Sequence, residues 1–456
     1  MSRKNTPDLA QKLAQKLPSS RTLSRRAALL APLVLGACSW FNWITGEGKE
    51  THIPGIREPV LAPARGLGVD APGDIVLPGV VRNKSWTQFG GDPSHIGGNL
   101  EGGLTKAWTA DVGTGGNWRA RFTAEPLVVD NQVFTMDTDG VVRSFALATG
   151  ARQWSTDTRP EDNDNDSIGG GLGYSRGRLY AATGRAELVA IDPASGAIAW
   201  RVPLTGPARG APTIDGDHIY LTTVDEKLLC LSRIDGKALW HFQANTGVAG
   251  MLGVAAPAIA NGIVVAGFES GDLVALRADT GTVVWSDNLG ALKGTTGMSE
   301  FASIRGGLVI QNAIVYAIGL GGLFAAIDLR SGRRVWQRDV AGANTPWLAG
   351  DVLYVLSIEQ RLAAVSALDG TVFWSTEMPR FENPKRTKNL ITWYGPVMAS
   401  GKLLLVNDQE QMAVVDPIFG KIVSTMEIPD TASLRPIIAD GTVFVLTDDA
   451  TLTAFR

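Results

Sequence analysis

The stretch Arg185–Trp200 reads RAELVAIDPASGAIAW, and it contains the pattern from which the fold can be predicted. Apolar residues dominate its first half, which is typical of a β-strand. Gly196 then marks a tight turn, because glycine adopts the positive φ that short hairpins require. A second strand-like run follows and ends at Trp200. The stretch therefore predicts a β-hairpin that ends in a large aromatic side chain.

The same hairpin recurs along the chain. The copies that end in tryptophan are Gly140–Trp154, Arg185–Trp200, Lys227–Trp240, Gly271–Trp285, Gly322–Trp336 and Arg361–Trp374. A seventh copy, Gln411–Ser424, has serine at the last position. Two further strand-like runs precede each hairpin, as at 211–214 and 218–221. Successive tryptophans lie 38 to 51 residues apart. Four strands in roughly 40–45 residues is the repeat of a β-propeller blade.

The two ends of the repeat region complement each other. Residues 450–456, ATLTAFR, begin an eighth repeat that lacks its last strand, whereas 104–110, LTKAWTA, supply a strand and a tryptophan without the preceding three strands. We therefore predict an all-β fold, an eight-bladed β-propeller of four-stranded blades over 86–456. Strand 104–110 would close the last blade and remove its exposed edge. The predicted blade anchors are Trp108, Trp154, Trp200, Trp240, Trp285, Trp336 and Trp374.

The first 37 residues have the organisation of an export signal. Residues 1–26 are basic, and the uncharged run 27–35 is too short to span a bilayer but suits a signal-peptide core. The sequence Leu35-Gly36-Ala37-Cys38 resembles the lipobox of bacterial lipoproteins. This resemblance implies a lipoprotein signal peptide over 1–37, cleavage before Cys38 and acylation of Cys38, which would anchor the chain to a membrane.

The residues around the cleavage site also bear on export and destination. Arg25-Arg26 resembles a twin-arginine signal without its usual Phe-Leu, so both that route and the general secretory route stay open. Ser39 stands where enteric lipoproteins retained in the inner membrane have Asp, which favours the outer membrane. Residues 38–85 are interrupted by prolines and glycines, and we expect them to form an extended, lipidated tether.

Charge and cysteine content argue against several classes of function. Beyond residue 37 the chain has 35 Lys and Arg against 44 Asp and Glu, so no nucleic-acid partner is expected. The cysteines are Cys38 and Cys230, too few for a disulfide framework, and Cys230 lies in an apolar strand-like run. The four histidines have no metal-pair spacing. The sequence therefore predicts no catalytic residue, cofactor or resident metal.

The repeat Ala-x-Asp-x-x-Ser-Gly-x-x-x-Trp at 190–200 and 326–336 resembles the tryptophan-docking repeat of quinoprotein propellers. The order of lipobox, tether, WTQFGGD at 86–92 and eight such blades resembles the BamB family, and HIPGIR at 52–57 is similar to its alphaproteobacterial members. Members of this family are lipoprotein subunits of the outer-membrane β-barrel assembly (BAM) machine. The similarity to the quinoprotein repeat covers about 104–456 and is specific for the fold but not for function, because enzymes and binding proteins share it.

The resemblance implies a non-enzymatic scaffold on the periplasmic face of the outer membrane. Its partners would be the POTRA domains of BamA, the other BAM subunits and unfolded outer-membrane proteins. The docking loops of the family correspond here to 248–253 and 300–305. The partner-binding residues implied are Met251, Leu252, Phe301, Ser303 and Arg305. Leu252 stands where enteric members have Arg, and Ser303 and Arg305 stand where they have Asp, so we do not expect the same ion pairs.

Other interpretations stay open at this point. A periplasmic ligand-binding or sensor propeller outside the BAM machine would share the fold. A PQQ-dependent dehydrogenase would share it too, but similar enzymes have an adjacent cysteine pair that this sequence lacks. The acidic loop 161–166 has the alternating acids of a calcium loop without its glycine or its closing glutamate. A solvated loop is the simpler interpretation, and Ca²⁺ is the alternative.

Overall fold

The computed structural model describes residues 66–117, 121–160, 169–245, 255–290, 302–383, 385 and 387–456. All regular secondary structure elements of these residues are β-strands. The strands form eight four-stranded antiparallel sheets and one separate two-stranded hairpin. The eight sheets are the blades of a propeller, numbered here in chain order. The prediction of an all-β, eight-bladed propeller is confirmed.

In blades 1–4 the strands follow chain order across the sheet. Blade 1 contains β2 (Leu127–Val129), β3 (Gln132–Met136), β4 (Val141–Ala146) and β5 (Arg152–Asp157). Blade 2 contains β6 (Gly170–Ser175), β7 (Arg178–Thr183), β8 (Glu187–Ile191) and β9 (Ile198–Pro203). Blade 3 contains β10 (Thr213–Asp215), β11 (His218–Thr222), β12 (Lys227–Ser232) and β13 (Ala238–Gln243). Blade 4 contains β14 (Ala258–Ala260), β15 (Ile263–Gly267), β16 (Asp272–Arg277) and β17 (Val283–Asn288).

Blades 5–7 repeat this order, and the separate hairpin lies between blades 6 and 7. Blade 5 contains β18 (Val309–Gln311), β19 (Ile314–Ile318), β20 (Leu323–Asp328) and β21 (Arg334–Asp339). Blade 6 contains β22 (Trp347–Ala349), β23 (Val352–Leu356), β24 (Arg361–Ser366) and β25 (Val372–Glu377). The hairpin contains β26 (Phe381–Asn383) and β27 (Lys388–Leu390). Blade 7 contains β28 (Trp393–Ala399), β29 (Lys402–Asn407), β30 (Gln411–Val415) and β31 (Ile422–Glu427).

Blade 8 is built from both ends of the described chain. Its first three strands are β32 (Ile437–Ala439), β33 (Thr442–Leu446) and β34 (Thr451–Phe455), and its fourth is β1 (Lys106–Asp111). Strand β1 pairs antiparallel with β34. Thr105 and Arg456 exchange both backbone hydrogen bonds, at 3.0 and 2.7 Å. The segment predicted to close the ring therefore pairs with the last strand, and the strand itself begins two residues later and ends one residue later than 104–110.

Burial explains why these segments form stacked sheets. The second and third strands of a blade are almost wholly buried, whereas the fourth is mostly exposed, as in β9 and β13. Each fourth strand has a register shift one or two residues from its anchor position, where one extra residue is accommodated. Such bulges increase local twist and redirect side chains. In every blade except blade 7 the bulge accompanies the tryptophan that contacts the next blade.

The anchor tryptophans contact the hairpin between the third and fourth strands of the following blade. Six of the indole Nε1 groups donate to a backbone carbonyl there: Trp108 to Leu147, Trp154 to Pro193, Trp240 to Ala278, Trp285 to Leu329, Trp336 to Ala367 and Trp374 to Pro417, at 2.7–3.1 Å. Trp200 packs on Gly236 in the same way. A Cβ on Gly196, whose φ is 75°, would lie 2.7 Å from the Trp154 ring, so the turn requires glycine for both conformation and space.

The described part of the predicted tether is packed against the propeller. Leu67 and Ile75 are buried, and Asp70 forms an ion pair with Arg338 of blade 5 and accepts a hydrogen bond from the Val372 amide of blade 6. Residues 66–85 thus differ from the extended tether expected over 38–85. Their few apolar residues follow no strand period, so the sequence pattern does not indicate this packing. The rest of 38–85 lies outside the described residues.

Candidate functional site

The segment Trp86–Gly103, here called the plug, winds around the inside of the propeller and bonds to all eight blades in turn. Its partners are the innermost strands or the residues beside them. In blade order the bonds join Trp86 to Val128, Thr87 to Tyr174, Gln88 to Ile214, Pro93 to Ile259, Ser94 to Ile310, Gly98 to Leu348, Leu100 to Met398 and Gly103 to Gly441, at 2.7–3.3 Å. The plug thereby satisfies backbone groups that face the axis and closes one end of the central channel.

Buried polar and aromatic side chains hold the plug in place. Glu125, at the entry to blade 1, accepts hydrogen bonds from the Trp86 indole and the Gly90 amide, each at 3.4 Å. The His95 Nδ1 lies 2.7 Å from the Leu308 carbonyl, so Nδ1 carries the proton. The His95 ring meets the Phe89 ring edge-on, with centroids 5.1 Å apart. Burial lowers the pKa of His95 from 6.5 to about 4, although the Leu308 bond and Asp92 oppose this shift.

Above the plug lies a cavity of about 430 Å³ on the propeller axis. Phe89 of the plug is at its floor, and residues from seven of the eight blades line it. Most lining residues directly precede an innermost strand, as Arg305 precedes β18 and Arg435 precedes β32. Since those strands then run toward the plug, the residues lie at the opposite, open end of the channel. The cavity therefore opens on one face only.

Four arginines and one glutamate are the charged residues of the cavity lining. Two of these arginines are neutralised by carboxylates. Arg209 forms ion pairs with Glu226 and Glu269, and the Arg435 Nε donates to Glu125 at 2.7 Å while its guanidinium lies 4.7 Å from the Phe89 centroid. Burial raises the pKa of Glu226 to about 7, and the charge of Arg209 opposes that rise.

The other two arginines, Arg121 and Arg305, have neither an ion pair nor a hydrogen bond in the described structure. Burial lowers the pKa of the half-buried Arg305; Tyr394 acts against this change and the charge of Arg121 adds to it. Burial also raises the pKa of Tyr394, and both arginines oppose that change. The side chains of Arg121, Arg305 and Tyr394 therefore lie on one wall of the cavity and interact electrostatically. The charges of the two arginines give this wall an excess positive potential.

The structure describes two of the five predicted partner-binding residues, Ser303 and Arg305. Met251, Leu252 and Phe301 lie outside the described residues. Ser303 is only 2% exposed and so offers almost no surface to a partner, and its carbonyl accepts a hydrogen bond from the Leu320 amide at 2.9 Å. Arg305 lines the axial cavity. Of the five residues, Arg305 is the one that the described structure brings to an accessible polar surface.

The remaining predicted features can be located as follows. Cys38 and the acidic loop 161–166 lie outside the described residues. Cys230 is a buried free thiol in β12, and burial raises its pKa to about 12. Among the described residues no group of three or more His, Cys, Asp or Glu side chains is arranged to hold a metal ion. The same residues contain no helix that is long and apolar enough to cross a membrane.

The sequence did not indicate that 86–103 forms a plug, and of the cavity arginines it singled out Arg305 alone, as a residue of a docking loop. An alignment of the blades would have given one signal, since Arg209 and Arg305 each stand four residues before an innermost strand, at Thr213 and Val309. The plug has no comparable signal. Its glycines, which include Gly90, Gly91, Gly97 and Gly98, are also typical of an ordinary turn-rich connection between strands.

Comparison with known proteins places this geometry in a family. A family model described as outer membrane protein assembly factor BamB matches residues 138–376 and 359–456. BamB of Yersinia pestis is 25% identical over 358 residues, which cover 77% of this chain and 88% of the relative. The crystal structure of BamB from Moraxella catarrhalis superposes with a TM-score of 0.66 at 17% identity, covering 77% of this chain and 99% of that chain.

Quinoprotein enzymes share the architecture at lower sequence similarity. The quinohemoprotein alcohol dehydrogenase ADHIIG of Pseudomonas putida HK5 superposes with a TM-score of 0.64 at 12% identity, covering 81% of this chain and 80% of that chain. At this identity the match concerns the fold alone. The family model, by contrast, spans most of the propeller. The chain belongs to the BamB family of outer-membrane protein assembly factors.

Proposed function

We propose that this chain is a non-enzymatic scaffold subunit of the BAM complex, docked on the periplasmic POTRA domains of BamA. The observation that carries the proposal is the family match across 138–456. The same match favours an assembly factor over a PQQ-dependent dehydrogenase. The fold suits a scaffold, because a ring of blades sealed by a plug presents its connecting loops on a rigid support.

The docking surface we propose is formed by the loops 248–253 and 300–305, which lie between blades 3 and 4 and between blades 4 and 5. Ala255, which follows the first loop, and Arg305, at the end of the second, line the open end of the axial cavity. Met251, Leu252 and Phe301 would supply the apolar contacts, since buried apolar anchors dominate the energy of most interfaces. Docking through the loops would leave the blade core unchanged.

The test is capture of the full chain by the purified periplasmic domains of BamA from the same organism. We expect Leu252→Asp with Phe301→Asp to weaken capture by at least about tenfold, because charges in an apolar contact are desolvated without a partner. The matched control is Leu368→Asp with Phe419→Asp, which makes the same changes at hairpin residues that are 80% and 66% exposed. The control should be captured like the parent.

Two outcomes would contradict this proposal in different ways. If the loop variant and the parent are captured equally, the docking surface is wrong. If BamA does not capture the parent, the BAM scaffold proposal fails, and the periplasmic ligand-binding or sensor propeller becomes the better explanation.

We further propose that Cys38 anchors the chain in the outer membrane, with the propeller on the periplasmic side. The basis is the lipobox-like sequence Leu35-Gly36-Ala37-Cys38 and membership of a family of outer-membrane protein assembly factors. Radiolabelled palmitate should enter the parent and not the Cys38→Ala variant, which should also leave the membrane fraction. Labelling of the Cys38→Ala variant would overturn the assignment.

A further inference from the structure

We propose that the axial cavity binds a carboxylate ligand with an apolar body, and that Arg305 and Arg121 receive the carboxylate. This inference goes beyond the scaffold function, since docking through the loops requires no ligand in the channel. Its basis is the arrangement of charges and apolar walls inside the cavity, together with the closed floor formed by the plug.

Uncompensated positive charge is the first observation. Buried or half-buried charged groups in proteins are normally paired, because desolvation of an unpaired charge is costly. In this cavity Arg209 and Arg435 follow that rule, with carboxylates in contact. Arg305, on the same cavity lining, has no such partner in the described structure. An anionic ligand would supply the missing partner.

A buried donor without an acceptor is the second, independent observation. The side chain of Arg435 is 9% exposed, its Nε is bonded to Glu125, and its Nη2 is buried without any hydrogen-bond partner. Unsatisfied buried donors are rare in native structures and call for an acceptor. Arg435 lines the same cavity, and because its Nη2 is itself buried, a ligand acceptor reaches that atom only when the side chain shifts toward the cavity. Arginine is suited to carboxylates, since its planar guanidinium can donate two parallel hydrogen bonds.

Neighbouring acids do not neutralise this wall. Asp448 and Asp408 line an adjoining space that shares Arg121 and Tyr394 with the cavity. The Asp448 carboxylate already accepts hydrogen bonds from Ser433 at 2.6 Å and Thr431 at 3.0 Å. Burial raises the pKa of Asp448, and those two bonds and the charge of Arg121 oppose the rise. Asp448 thus offsets part of the charge of Arg121, whereas that of Arg305 stays uncompensated.

The remaining walls define the body of the ligand. Apolar side chains contributed by six blades line the cavity, among them Phe122, Leu320, Ile358 and Leu434, with Phe89 of the plug below them. A volume of about 430 Å³ lies within the range of small-molecule sites in proteins. The plug closes the floor, so a ligand enters from the open face and stops above Phe89. A short apolar group that ends in a carboxylate fits these constraints.

The probes are 3-phenylpropionate and the dipeptide N-acetyl-leucyl-leucine, each compared with its own amide, titrated by calorimetry into the full mature chain in detergent. We expect each acid to bind at least about tenfold more tightly than its amide, because the amide cannot neutralise the arginines. Tighter binding of the dipeptide would identify a polypeptide C-terminus as the source of the carboxylate. Tighter binding of 3-phenylpropionate would identify a free organic acid.

The variant Arg121→Gln with Arg305→Gln should lower the affinity for both acids by at least about tenfold and leave the affinity for the amides unchanged. Arg330→Gln, at an exposed residue of the blade 5 hairpin, is the matched control and should bind like the parent. Urea unfolding of each variant confirms that it is folded. Equal affinity for acid and amide, parental affinity in the double variant, or no binding of either acid up to about 10 mM would overturn the proposal.

Discussion

Blade 8 and the seven blades before it are four-stranded antiparallel sheets, but their third and fourth strands are connected differently. In blades 1–7 one continuous segment forms all four strands, and a hairpin joins the third strand to the fourth. In blade 8 the third strand is β34 and the fourth is β1, so no hairpin joins them. The pairing of β1 with β34 closes the ring, but it leaves blade 8 without the turn that every other blade presents to its neighbour.

This difference explains the missing seventh tryptophan of the hairpin repeats. Each anchor packs on the hairpin of the next blade, as Trp374 of blade 6 does on the Pro417 carbonyl and Gly420 of blade 7. The fourth strand of blade 7 would present its anchor to blade 8, which has no hairpin. The residue at that position is Ser424, and it is exposed. Seven hairpins are thus matched by seven tryptophans, with Trp108 of blade 8 on the hairpin of blade 1.

The largest effect we expect comes from removing an anchor that has a hairpin. Trp285 is buried and donates to the Leu329 carbonyl at 2.7 Å. Trp285→Ala should lower the free energy of unfolding by about 3–5 kcal/mol, through lost burial and the cavity left behind. Ser424→Ala, at the equivalent position without a hairpin, should change it by less than about 0.5 kcal/mol. Urea titration followed by circular dichroism measures both values.

Similar losses of stability in Trp285→Ala and Ser424→Ala would contradict this explanation. They would mean that Ser424 takes part in an inter-blade contact and that the absence of a hairpin in blade 8 does not explain the serine.

The second prediction compares the effect of pH on stability through two histidines, His95 of the plug and His241 of blade 3. His95 in the plug is buried and has a pKa of about 4, whereas an unfolded histidine has its ordinary value of 6.5. As the pH falls from 6.5 toward 4, the unfolded chain gains a proton that the native state does not bind, so the free energy of unfolding decreases by up to about 3 kcal/mol. His95→Asn should lose much of this pH dependence, since asparagine tolerates the positive φ of 62°.

The measurement is urea unfolding at about pH 7.5 and about pH 4.5, with His241→Asn, an exposed residue of blade 3, as the control. Glu226 acts in the opposite direction over part of this range, because its raised pKa makes the native state the better proton acceptor between 4.5 and about 7. Its contribution is common to the parent and both variants and cancels in the difference. If His95→Asn retains the full pH dependence of the parent, His95 does not resist protonation in the folded protein.

The sequence was sufficient for the blades because their determinants are local and repeated. A hairpin glycine such as Gly196 and an anchor such as Trp200 recur with the same spacing, so each copy supports the assignment of the others. The pairing of β1 with β34 also followed, since 104–110 and 450–456 supply complementary parts of one repeat.

The plug and the cavity could not be predicted in this way. Seven of the eight bonds that hold the plug to the blades join backbone groups far apart in sequence, and such bonds leave no pattern in side-chain identity. Arg305 was assigned to a docking loop because of its place in the chain, but its side chain lines the axial cavity. Whether an arginine beside an innermost strand faces a carboxylate, as Arg435 does, depends on the neighbouring blade and on the plug.

The prediction with the smallest expected change in stability is the most stringent test of the difference between blade 8 and the other blades. Ser424→Trp restores the residue that completes the repeat pattern, and a consensus argument would expect stabilisation. We expect the free energy of unfolding to change by less than about 0.5 kcal/mol, because the indole finds no hairpin carbonyl or glycine surface in blade 8 and stays in water. Urea titration measures the stability, and the added tryptophan should emit as a solvent-exposed indole. Trp374→Ser, the reverse exchange in blade 6, should destabilise strongly, since its Nε1 bond to Pro417 is lost. Stabilisation by Ser424→Trp of more than about 1 kcal/mol would show that blade 8 offers a docking surface after all, and the serine would then need another explanation.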